Sequence, residues 1–150
     1  MKILNKILIL STLACSSLFA LNPLDREIVA EEIEVYNNSL PGAYDTGMIL
    51  TKVELNDLGV LTYNVEIKQD ILEKSADIVI NKDTISKLRQ IVLPKYKMLQ
   101  LKNLCLTTDS KNLISKGFSF NYHYTFDSGL VLGDTLIDLE TCEKTFRLRN

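Results

Sequence analysis

Tryptophan is absent from this chain, histidine occurs once, proline three times, and the six glycines are scattered through 150 residues. Without tryptophan, any aromatic core or platform has to be built from five phenylalanines and six tyrosines. A lone histidine, His123, argues against a zinc centre, which asks for four ligands drawn mostly from His and Cys. The dispersed glycines form no phosphate cradle, and no acidic loop has the spacing of a calcium site. No cofactor and no metal is expected.

The first segment is the most legible. Met1, Lys2 and Lys6 lead into Ile7-Leu8-Ile9-Leu10 and on through Ser11 to Ala20, the charged start and apolar middle of a secretory signal peptide. The apolar stretch falls short of the roughly 20 residues a membrane-spanning helix needs, and Ser11, Thr12, Ser16 and Ser17 dilute it. The expectation is therefore cleavage near Ala20, no transmembrane anchor after processing, and a periplasmic or secreted chain. Cys15 opens a second reading, because Leu13-Ala14-Cys15 resembles a lipoprotein cleavage box; Thr12 stands where such a box carries an aliphatic residue, which ranks lipidation second.

Removing residues 1–20 takes away two lysines and no acid, leaving 15 basic against 19 acidic groups, net −4. Charges of both signs alternate along the chain as on a solvated surface, so nucleic acid is not an expected partner. Residues 21–150 suffice for one hydrophobic core. Two cysteines, Cys105 and Cys142, remain after processing. An even pair in an exported chain reads first as a disulfide; two buried free thiols is the other reading.

Apolar periodicity supplies the elements. Asn22 and Pro23 make a cap and first-turn proline for a helix over about 24–38, with Ile28, Val29, Ile33 and Tyr36 at helical spacing, stopped by Asn37-Asn38-Ser39 and Pro41-Gly42. From Met48 the period becomes two, with Ile49, Thr51, Val53 and Leu55 on one side and Met48, Leu50, Lys52 and Glu54 on the other. After the Asn56-Asp57-Leu58-Gly59 turn, Leu61, Tyr63, Val65 and Ile67 alternate with polar residues and complete a hairpin. Ile71 to Ile80 reads equally as a brief strand or a docked loop. Asp83 or Thr84 caps a helix that Pro94 breaks or kinks before a second piece runs to Cys105. Thr108 or Ser110 starts a short turn closed by Gly117. A second hairpin follows, Phe118 to Phe126, Asp127-Ser128-Gly129, then Leu130 to Leu139, ending just before Cys142. The expected fold class is α+β: two antiparallel β-hairpins forming one sheet of about four strands, helices packed on one face, and one disulfide.

Candidate chemistry is sparse. His123 lies on the strand face opposite the aromatic stripe with no partner evident in sequence, and neither Ser119 nor a cysteine sits in a nucleophile context. Asp134 and Asp138 share a strand face, but four strand residues separate their backbones by about 13 Å, far for an acid-base pair. No catalytic residue is assigned. Phe118, Phe120, Tyr122, Tyr124 and Phe126 occupy every second position, so five rings project from one face. They are either core or, if exposed, an interaction or ligand surface.

Taken in order, Leu40-Pro41, Asp45, Tyr63, Cys105, Gly117, Tyr122-x-Tyr124, Asp127-x-Gly129 and Cys142 resemble the pattern of a broad group of small exported, uncharacterised bacterial proteins. This chain departs from it at Gly47 and Met48, where a threonine is usual. The resemblance implies a disulfide-tied α+β domain outside the inner membrane and assigns no activity. The functional expectation is a non-enzymatic protein acting by binding another envelope or periplasmic protein, as an accessory or inhibitor-type partner. Alternatives are a lipid-anchored pilotin-like accessory and a small-ligand binder using the aromatic face.

Overall fold

The computed structural model describes residues 21–146. The expected leader, with cleavage near Ala20 or lipidation of Cys15, falls on residues 1–20 and lies outside them. The element order is α1 (Pro23–Asn37), β1 (Gly42–Asp45), β2 (Met48–Leu55), β3 (Val60–Ile67), α2 (Gln69–Ala76), α3 (Ile85–Leu106), α4 (Thr108–Ser115), β4 (Ser119–Phe126), β5 (Val131–Ile137) and α5 (Leu139–Phe146). The strands form one sheet in the order β1-β2-β3-β4-β5.

The sheet has five strands rather than about four. The added strand, β1, carries no alternation of its own and pairs only with Met48, Ile49 and Leu50, so nothing in its side chains announces it. Both expected hairpins form, β2/β3 and β4/β5, and they join side by side through a parallel β3/β4 pair, Leu61 opposite Phe120 and Val65 opposite Tyr124. A parallel pair needs a crossover, and the chain from Ile67 to Ser119 supplies it with three helices.

Register explains which faces are buried. On β3 and β4, Leu61, Val65, Ile67, Phe120, Tyr122, Tyr124 and Phe126 are buried, whereas Thr62, Asn64, Glu66, Asn121, His123 and Thr125 on the opposite face are half exposed. On β2 the expected alternation fails. Thr51 is an extra residue between the pairs Leu50–Val65 and Lys52–Asn64, so Leu50 and Val53 both turn inward. A bulge of this kind shifts the side-chain phase by one residue.

Two other expectations change, and one open reading resolves. Pro94 does not break its helix: α3 runs unbroken past it, with Pro94 and Gln90 both exposed so that water can serve the carbonyl left without a donor. The segment of uncertain type splits into α2 and a docked loop in which Ile80 is buried, its N–H donating to Glu73 Oε1 at 2.7 Å and its carbonyl accepting from Gln69 Nε2 at 2.9 Å. The last strand stops at Ile137, because Asp138 accepts from the Thr141 N–H at 2.8 Å and hydroxyl at 2.5 Å and so caps α5.

Cys142 therefore lies in a helix, bonded to Cys105 near the end of α3 with a Cα separation of 5.5 Å. Between α3 and β5 the approach is close: a Cβ at Gly133, whose φ is +139°, would meet Leu93 Cδ1 at 2.8 Å. Arg89 caps that sheet edge, its Nε donating to the Leu132 carbonyl at 2.6 Å.

Candidate functional site

All five rings of the aromatic stripe are buried. They form the floor of the core rather than an open platform. Tyr63 stacks on Tyr122 with centroids 4.9 Å apart, Tyr44 reaches in from β1 to within 6.1 Å of Tyr122, and Tyr96 of α3 lies 5.0 Å from Tyr124. Burial pushes the Tyr63 hydroxyl up to about 12 and raises those of Tyr44, Tyr96, Tyr122 and Tyr124, so all five rings are neutral at physiological pH.

One polar side chain ties the helix layer to the sheet inside this apolar mass. Gln100 of α3 is buried; it donates from Nε2 to the Tyr124 hydroxyl and accepts from Thr135 Oγ1 at 2.6 Å. Both ends of its amide are thereby satisfied, as burial requires. Beside it a cavity of about 40 Å³, bounded by Tyr44, Tyr96, Gln100 and Tyr124, has room for about one water molecule. That volume is far below a sugar or a base, and the stripe is spent on the core.

His123 has a partner that sequence alone did not show. Its Nδ1 lies 3.0 Å from Asp134 Oδ1, and the Asn121 amide donates to the same oxygen at 3.0 Å. The pair sits on the open polar face of the sheet, where cross-strand contacts such as Asn64 Nδ2 to Glu54 Oε2 at 3.0 Å continue the row. Ser119, the serine of the same strand, does not join it: it lies four residues along, about 13 Å away at strand rise. Asp138, expected on the same face as Asp134, caps α5 instead. Among the described residues no three His, Cys, Asp or Glu side chains converge as metal ligands, and no helix is long and apolar enough to cross a membrane.

A wider concavity lies elsewhere, between α1 and β2, an open groove of about 480 Å³ lined by Ala30, Ile33, Glu34, Asn37, Val53 and Leu55. Its geometry follows from how α1 is held. Asn37 stands in for a neighbouring strand: its Nδ2 donates to the Val53 carbonyl at 2.8 Å and its Oδ1 accepts from the Val53 N–H at 2.9 Å, closing the β2 edge where β1 stops. Val29 is the one fully buried residue of the helix, with Ile33 packed on the core beside it. Asp25–Lys116 and Arg26–Asp57, each 2.7 Å, tether the N-terminal turns.

The sequence groups Ile28, Val29, Ile33 and Tyr36 as one apolar face; the structure splits them. Val29 and Ile33 face the sheet, while Ile28 is 47% exposed and Tyr36 49%. With Leu24 at 62% and Val35 at 71%, Ile28 forms a second apolar stripe on the solvent side. The available signal is the spread of apolar residues around the whole helix, which a helix with only one buried face does not need.

No family model matches the chain, and no curated protein is similar to it in sequence. Solved structures share the fold. A Pseudomonas aeruginosa protein inferred to be secreted aligns at 11% identity with a TM-score of 0.54, covering 78% of this chain and 91% of its own. The type 2 secretion system pilotin EpsS of Vibrio vulnificus aligns at 11% identity and TM-score 0.53, covering 79% and 92%, and the type II secretion system pilotin AspS of Vibrio cholerae at 13% and 0.50, covering 79% and 93%. These are likenesses of fold, and they place the chain's architecture beside that of small secretion-system pilotins and of a protein inferred to be exported.

Proposed function

We propose that this protein is a small, non-enzymatic accessory of the bacterial envelope, pilotin-like, which works by binding a component of a type II secretion system. The observation that carries the proposal is coverage: more than nine tenths of each pilotin chain superposes on residues of this one, so the shared part is the whole pilotin fold rather than a common fragment. The sequence supports export through the leader at residues 1–20, and the burial of the aromatic stripe favours this reading over a small-ligand binder. The pilotin-like role is favoured over an inhibitor-type partner, because two of the structures that share the fold are pilotins. Cys15 is the candidate membrane attachment for such a role.

The test is deletion of the gene in the bacterium that makes the protein. Reduced release of type II substrates into the medium, together with co-purification of the protein with a channel component of that system, supports the proposal. Unimpaired secretion, with only monomer recovered after crosslinking in living cells, overturns it. Intact mass of the exported protein decides the anchoring: a lipid-sized increment on Cys15 supports attachment, and a chain starting near Leu21 contradicts it.

A further inference from the structure

We infer that the solvent face of α1 is the surface that takes the partner, and that the partner presents a basic amphipathic helix to it; the inference rests on the binding role proposed above. At about 100° per residue, Leu24, Ile28 and Val35 fall within one narrow line, on the side opposite Val29 and Ile33. The helix is therefore apolar on two opposed sides, and the inner one alone accounts for its docking on β2. An exposed apolar line is the kind of surface that marks an interaction site; α3 also exposes Ile91, Met98, Leu99 and Leu106, with Lys95 and Lys102 among them, and what sets the α1 line apart is its acidic border.

Charge states what covers it. Glu27, Glu31 and Glu34 border the line on one side and Glu32 on the other, all exposed. The ion pairs of α1 are made by Asp25 and Arg26, and none of the four glutamates makes one with another described residue. A complementary surface thus carries an apolar ridge flanked by lysine or arginine. It is helical rather than extended, because the α1 backbone is bonded within itself and offers no edge; a strand laid on this line would bury unpaired N–H and C=O groups, whereas a helix brings its own hydrogen bonds.

The experiment places a photo-crosslinking amino acid at Ile28, Val35, Met98 or His123 of the full-length protein in the producing bacterium and identifies the crosslinked peptide by mass spectrometry. The expected result is an adduct from Ile28 and Val35 to a lysine- or arginine-rich amphipathic segment of a secretion-system component. Its yield should fall about tenfold in a Glu27→Lys, Glu31→Lys, Glu34→Lys variant, and also in a Leu24→Ser variant, both checked for the Cys105–Cys142 bond as evidence of folding. An adduct from Met98 or His123 alone overturns the α1 assignment while leaving the pilotin-like role standing. A crosslink from α1 to a second copy of this chain, or to an acidic or extended segment, also overturns it. Absence of adducts from all four positions, with secretion intact in the deletion strain, overturns both.

Discussion

Two helices of this protein are held to the sheet to very different extents. α3 turns Leu88, Leu101, Leu104 and Cys105 into the core, adds the buried Gln100 bridge to the sheet, and is tied by a disulfide to α5. α1 buries only Val29 fully, holds the sheet through the Asn37 amide and two tethering ion pairs, and leaves Leu24, Ile28 and Val35 in water. The difference separates a helix anchored by several buried side chains, an amide bridge and a disulfide from one held by a single buried residue and its ends; both leave apolar residues in water, Ile91, Met98, Leu99 and Leu106 on α3. Stability should therefore respond strongly to changes in α3 and weakly to changes on the outside of α1.

Replacing Cys105 and Cys142 together by serine should have the largest effect, a loss of about 4 kcal/mol from releasing a cross-link between residues 37 apart, read as a lower denaturant midpoint. Gln100→Ala strips the partner from the Tyr124 and Thr135 hydroxyls and should cost about 3 kcal/mol, more than the sum of one ordinary hydrogen bond, because two buried groups are left unpaired.

Alkali probes the aromatic floor of the core. Tyr63 ionises at about 12 when folded, above the ordinary tyrosine value near 10, so the unfolded chain binds fewer protons than the folded one in that interval. Stability is full below about pH 10 and falls as pH rises toward about 12. Titration of tyrosinate absorbance should show delayed ionisation that becomes normal in denaturant, and Tyr63→Phe should shallow the alkaline stability loss.

On α1, Asn37→Ala should cost about 1 kcal/mol by uncapping the Val53 N–H and C=O on a half-buried edge. Leu24→Ser with Val35→Ser should change stability by no more than about 0.5 kcal/mol in chemical denaturation, since neither residue is buried. A loss as large as that of Gln100→Ala would place the outer stripe in the fold and erase the contrast between the helices.

How much of this was legible varied with whether the cause was local. β3 and β4 keep strict alternation, and their inner and outer faces read directly from Leu61 to Ile67 and Phe118 to Phe126. β2 did not, because the extra residue Thr51 changes phase midway and nothing in Thr51 itself signals a bulge. The parallel β3/β4 pair depends on where a long helical crossover lands, a tertiary fact. α5 was hidden because Asp138 follows an apolar strand and reads as its continuation until its carboxylate is seen bonded to Thr141. His123 lacked a partner in sequence since Asp134 meets it only through cross-strand register. The outer stripe of α1 was present as letters, but residues destined for opposite sides were read as one face.

Hydrogen exchange of the protein tests the division between the helices most directly. The account predicts slow exchange for amides of α3 around Leu101–Leu106 that becomes much faster on reduction of the disulfide, faster exchange throughout α1, and no change in either helix when Leu24 and Val35 are serine. Protection of α1 equal to that of α3, or its loss in the serine variant, would contradict it.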